Sequence, residues 1–233
     1  SNIANLFLIM GISGLLTELH LSKPEMKEQM VWHLVLTLLL IFVLTRDAFS
    51  AFSASFLAVF FFVYMGKTYR KMKKDKISEK VDPNRGRLPA MVIVKLILGF
   101  AFLYGGGELL VVSGSKLGRL LGIKEYVISA IFVAFGTSLP ELITALIACW
   151  KKKDADLITG NIIGSNIFNV AFVLASLGGY TMVFDRTFNF EIMVLLGASL
   201  FLLLLAALKK NFFRFSGGAF LLVYAGVIWK LIS

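Results

Sequence analysis

Apolar residues in this chain come in long unbroken blocks rather than in the short alternations of an amphipathic soluble protein. Blocks at residues 30–45, 48–65, 89–112, 127–150, 158–183, 192–208 and 212–232 are separated by short polar stretches, and a shorter block covers 3–16. A helix needs roughly 20 apolar residues to cross a hydrocarbon core. The pattern therefore predicts an all-α, polytopic transmembrane helix bundle with seven full spans and one short one.

The polar stretches carry an orientation signal. Residues 67–87 hold Lys67, Arg70, Lys71, Lys73, Lys74, Lys76, Lys80, Arg85 and Arg87 against Asp75, Glu79 and Asp82. Excess Lys and Arg in short loops marks the cytoplasmic side. Lys151 to Lys153 and Lys209 to Arg214 fall on that same side, and the Asp185 region falls on the other. The formal charge of +10 is thus accounted for by membrane orientation, and no nucleic-acid partner is expected. Hydrophobic residues make up 58% of the chain and charged ones 16%, against about 25% charged in soluble domains. The single cysteine, Cys149, lies inside a span, so no intrachain disulfide can form.

Candidate chemistry sits at Gly136-Thr137-Ser138-Leu139-Pro140-Glu141. An ionisable side chain within a span is costly and marks an ion or substrate pathway. Pro140 has no N–H for the carbonyl of Gly136, so the helix is expected to open there, beside two hydroxyls. A carboxylate, two hydroxyls and freed carbonyls are the oxygen donors that hard cations prefer. On the span 158–183, Asn161, Ser165 and Asn169 recur every four residues as a polar stripe, and Gly160 and Gly164 are expected to admit a neighbouring helix closely.

An internal repeat links the two halves. Ser1-Asn2-Ile3 and Asn5 recur as Ser165-Asn166-Ile167 and Asn169, and Phe52-Ser53 recurs as Phe215-Ser216. The two copies run in opposite directions, the inverted-topology arrangement of secondary transporters. Because Ser165 lies within its helix, Ser1 is expected to do so too, with the natural chain extending before it. The expected organisation is residues 1–66 as the later part of a first half, 67–88 as a basic cytoplasmic linker, and 89–233 as a complete five-helix second half.

The motif at 136–142, followed by Gly160-Asn161-Ile162-Ile163-Gly164-Ser165-Asn166-Ile167-Phe168-Asn169, resembles the second signature repeat of the cation/calcium exchanger superfamily. It is most similar to the sodium/calcium exchanger branch, and Ser1 to Asn5 resembles the tail of the first signature repeat. The resemblance implies ten helices in two inverted halves with discontinuous helices in the signature repeats, of which this chain holds a partial third and the fourth to tenth. It implies a midplane cation site with Glu141 as central ligand, Thr137 and Ser138 beside it, and the backbone carbonyl of Ala134. Ser165, Asn169, Ser1 and Asn5 complete the set, while the partner glutamate of the first repeat does not occur in this sequence. The implied activity is antiport of calcium against sodium in the plasma membrane. The implied partners are those two ions, the lipid bilayer and the preceding helices of the same protein, with no cofactor.

Two alternatives remain open at this level. One is a proton-coupled cation antiporter of the same fold. The other is a non-transporting fragment or subunit. Catalysis is not expected, since there is no nucleophile with a base, no phosphate loop and no Cys/His metal spacing. His33 reads as an interfacial side chain near a helix end, Glu108 as a residue outside the site, and Phe60 to Phe62 as lipid-facing bulk.

Overall fold

A computed structural model describes residues 1–46, 48–78, 90–151, 155–183 and 189–232. Residues 79–89 of the basic linker, Lys152, Lys153 and the Asp185 region lie outside the described residues. Eight helical segments follow in order: α1 (Ala4–Leu16), α2 (Pro24–Leu44), α3 (Ala51–Ser78), α4 (Ala90–Leu120), α5 (Ser129–Trp150), α6 (Ala155–Gly179), α7 (Asn189–Ala207) and α8 (Arg214–Ile232). Seven of them are long and apolar enough to cross a membrane, and α1 is the short one.

Backbone pairing ties the connections together at both ends of the bundle. At one end Leu19 and Phe212 exchange both backbone hydrogen bonds, at 2.9 and 3.0 Å, with both side chains fully buried. The same end carries an ion pair between Lys23 and Asp156. At the other end β1 (Ala48–Phe49) pairs antiparallel with β2 (Met182–Val183). The C-terminal ends of α1, α5 and α7 thus share one end of the bundle, and those of α2 and α6 share the other.

Helix α2 starts at Pro24, whose missing N–H costs nothing in the first turn, with Glu25 there to offset the positive end of the helix. The helix therefore begins six residues before the apolar block does. His33 consequently sits in mid-helix at 2% exposure rather than at an interface, which corrects the sequence reading. The aromatic run also divides. Phe60 is buried beside Trp32, Phe61 packs on Phe168 and Phe172, and only Phe62 is largely exposed, because a helix turns each successive residue by about 100°.

Close helix approaches occur at glycines other than those expected. A methyl on Gly160 would meet nothing nearer than 3.9 Å and one on Gly164 nothing within 4 Å, so neither admits a neighbour closely. At Gly217 the added carbon would lie 2.7 Å from the carbonyl oxygen of Gly11, so α1 and α8 are in backbone contact. At Gly107 it would lie 3.2 Å from the carbonyl oxygen of Gly136, where α4 crosses α5. Small residues at such crossings supply the packing that drives helix association in lipid.

Candidate cation site

Helix α5 brings the carboxylate and hydroxyls to one place. An α-helical turn at Glu125–Ile128 leads directly into a π-helical turn at Ser129–Val133, and the helix continues as α-helix over Ala134–Trp150, with Pro140 inside it. The expected opening at Pro140 is not an interruption of the helix, and the irregular turn lies immediately before Ala134 instead. An extra residue in that turn displaces carbonyls from their regular donors, and the Thr137 hydroxyl takes up the slack, donating to Val133 at 2.9 Å and Ala134 at 3.2 Å. Thr137 is exposed, Ser138 is 2% exposed and Glu141 is half-buried. Glu108 is exposed and remains outside this cluster.

α5 packs against both α1 and α6, and these two supply the amides. Both contain a π-helical turn at repeat-related positions, Ala4–Ile9 and Asn169–Leu174. Where they cross, each hydrogen bond has a symmetry mate. Asn5 Nδ2 donates to Ser165 Oγ at 3.2 Å and to Asn166 Oδ1 at 2.9 Å. Correspondingly, Asn169 Nδ2 donates to Ser1 Oγ at 3.2 Å and to Asn2 Oδ1 at 3.4 Å. Between them Asn2 Nδ2 donates to the Asn166 carbonyl at 3.2 Å, and Asn166 Nδ2 to the Asn2 carbonyl at 3.3 Å. The inverted repeat seen in the sequence is thus a pseudo-two-fold axis passing between Asn2 and Asn166.

These bonds sort the polar atoms by sign. The amide nitrogens of Asn5 and Asn169 are committed to neighbours. The oxygens Asn5 Oδ1, Ser138 Oγ and Glu141 Oε2 are buried with no hydrogen-bond partner among the described residues. A buried acceptor without a donor costs about 1–3 kcal/mol. Three on mutually packed helices form a group that a cation would relieve. A cavity of about 1180 Å³ is bordered by Ser1, Asn2, Ala134 and Asn169 near the axis and by Met182, Val183 and Glu191 toward the strand end, while Asn5, Ser138 and Glu141 do not line it. Of the eight predicted site residues, Glu141, Thr137, Ser138 and Ala134 lie together on α5, and Ser1, Asn5, Ser165 and Asn169 are joined by the hydrogen bonds above. Among the described residues there is no group of three His, Cys, Asp or Glu side chains, so Glu141 stands without a carboxylate cluster.

Asn2, Asn166 and His33 were missed as members of this network. The i, i+4, i+8 rule selected Asn161, whose amide nitrogen is buried without a partner among the described residues, because it takes one residue per turn and so skips Asn166 beside Ser165. Asn2 and Asn166 were visible as repeated positions, which was the available signal.

The family profile described as sodium/calcium exchanger protein matches residues 91–232. This chain belongs to the sodium/calcium exchanger family. An uncharacterized membrane protein of Methanocaldococcus jannaschii is 33% identical, over 99% of this chain and 74% of that protein. The putative antiporter CaxA of Alkalimonas amylolytica is 30% identical, over 100% of this chain and 76% of that one. A solved structure of the sodium-calcium exchanger NCX_Mj superposes with a TM-score of 0.78 at 29% identity, covering 99% of this chain and 74% of that one. Membership makes the chain an integral multi-pass membrane protein of a cation-exchanger family, not an enzyme.

Proposed function

We propose that this chain carries the ion-binding core of an antiporter that exchanges calcium for sodium. Glu141, Ser138, Thr137, the carbonyl of Ala134, Asn5, Asn169, Ser165 and Ser1 supply the oxygens. The observation that carries this reading is the set of buried oxygens at Asn5, Ser138 and Glu141 that have no partner among the described residues, alongside the amide nitrogens of Asn5 and Asn169, which are tied to protein acceptors. Calcium takes six to eight oxygen ligands and tolerates irregular geometry, which suits a mixed carboxylate, hydroxyl, amide and carbonyl set. The names of relatives such as the sodium/calcium exchanger MaX1 of Methanosarcina acetivorans, 39% identical over 79 residues, support the choice of ions.

Coupling follows from shared ligands. If calcium and sodium compete for the same oxygens, occupancy by one excludes the other, and each crossing of the site trades them without ATP. Access alternates as α4, packed mainly on α5, slides past it along a strip of Gly107, Gly114 and Gly118, the three buried residues of that helix. The test is uptake by liposomes containing the protein in its full natural length. An outward sodium gradient drives calcium uptake in wild type and not in Glu141→Gln, which keeps the size of the side chain and removes its charge. Wild-type transport by that variant refutes the site. Calcium uptake driven by a proton gradient without sodium assigns proton coupling instead.

A further inference from the structure

Among the described residues, the most enclosed titratable side chain is that of His33. It lies on α2, 2% exposed, between the amide crossing and α7. Its Nε2 is 3.4 Å from Asn166 Nδ2, and its Nδ1 is 3.0 Å from Ser199 Oγ. Asn166 is in turn the residue whose Oδ1 accepts the Asn5 amide at 2.9 Å. A single line of hydrogen bonds thus runs from α7 through His33 and Asn166 to Asn5.

Such a line has a direction, and backbone carbonyls set it at three points. The single Ser199 hydroxyl proton has the Leu195 carbonyl at 2.8 Å as its nearest acceptor, with Thr37 Oγ1 farther off at 3.2 Å, which leaves Ser199 Oγ to accept from Nδ1 at 3.0 Å. With the ring proton on Nδ1, Nε2 is an acceptor. Asn166 must then turn its NH2 toward Nε2, which also serves the Asn2 carbonyl at 3.3 Å. Its oxygen is left for Asn5. At Asn5 the same polarity is demanded from the far side, because the Ser165 hydroxyl donates to the Ile162 carbonyl at 3.1 Å and so accepts from the Asn5 amide. The outcome is that Asn5 keeps its NH2 inward and leaves Oδ1 open. Reversing every amide would present an NH2 to the cation, which repels it.

We propose that His33 is a positioning residue for the cation site: its Nδ1–H tautomer offers Nε2 to Asn166 and thereby holds Asn5 with its oxygen toward the ion. The device is asymmetric. At the offset of 164 residues that relates Asn2 to Asn166, His33 corresponds to Gly197, which has no side chain to play the part. This inference rests on the reading of Asn5 as a ligand given above, and it adds what orients that ligand.

The experiment uses the protein in its full natural length, with histidine labelled by nitrogen-15. The signal lost in His33→Gln identifies His33 and separates it from His20, the other histidine of this chain. The expected spectrum shows a protonated nitrogen at δ1 and an unprotonated one at ε2, and the reverse order overturns the proposal. Calcium and sodium binding is then measured for wild type, His33→Gln, His33→Asn and His33→Phe. A glutamine amide oxygen reaches the place of Nε2 and an asparagine does not. Apparent affinity is expected to fall about five- to tenfold in the Phe and Asn variants, the size set by one net hydrogen bond, and to be restored in the Gln variant. The maximal transport rate is expected to hold. Equal affinity in all four proteins overturns the proposal, and so does a uniform loss in which Gln does no better than Asn, which a packing role alone would produce. If wild type binds neither ion, the reading of the site itself fails, whichever nitrogen carries the proton. If wild type binds and only the tautomer or the variant order is wrong, the positioning role alone fails.

Discussion

Gly114→Ala probes the contact on which sliding of α4 depends. A carbon added at Gly114 would stand 2.2 Å from Phe132 Cδ1, 2.6 Å from Cε1 and 2.7 Å from Cγ. Ordinary carbon contacts need about 3.5–4.0 Å, so the shortfall is about 0.8–1.8 Å along one whole edge of the ring. Rotating Phe132 cannot clear three ring atoms at once, and α4 must move outward or Phe132 must leave its rotamer. Overpacking of this kind costs about 1–3 kcal/mol. For a chain of this size that lowers the melting midpoint by roughly 2–12 °C. Gly105 and Gly106 are the controls, since a methyl at either meets nothing within 4 Å. There Ala is expected to be neutral or to stabilise by about 0.4–1 kcal/mol by restricting the unfolded chain. Melting in detergent and calcium uptake in liposomes are the assays. Gly114→Ala should melt lower and transport more slowly at saturating ion, with half-saturation unchanged, while Gly105→Ala and Gly106→Ala behave as wild type or better. Wild-type melting and rate in Gly114→Ala, or equal damage at Gly105, would refute the reasoning.

Two more substitutions separate the site from its scaffold. Ser138→Ala removes a buried hydroxyl oxygen that has no partner among the described residues, so the ion-free protein should melt at the wild-type temperature or slightly above it, while the rise in melting produced by added calcium shrinks with the lost affinity. Gly217→Ala sets a carbon 2.7 Å from the Gly11 carbonyl oxygen and 3.0 Å from the Leu15 nitrogen, both backbone atoms that no rotamer change can move. It should lower the melting midpoint by more than Gly114→Ala does, and equal melting temperatures for the two would show that the α1–α8 contact yields.

How much was legible in advance depended on whether the signal was periodic or local. The long apolar blocks determined the all-helical membrane class and the count of spans, because a hydrocarbon core requires that length and leaves backbone groups no other partner. The Ser-Asn repeat disclosed the inverted halves. The motif around Glu141 located the candidate oxygens, since a carboxylate at that depth is too costly to be incidental.

Three features waited for the tertiary structure. The start of α2 depended on a proline cap in a polar stretch, so block boundaries misplaced His33 by more than a helical turn. Asn161, Ser165 and Asn166 share the regular α-helical stretch Ala155–Phe168, where Asn166 stands about 100° around the helix from Ser165, so a stripe of one residue per turn picked Asn161 and passed over Asn166. In the positioning proposed for His33, the open state of the Asn5 oxygen is set by carbonyls of Leu195, Asn2 and Ile162 acting through side chains from three different helices. Composition and spacing could name the oxygens of this site. Which way each amide faces depends on donors and acceptors that meet only when α1, α2, α6 and α7 pack together.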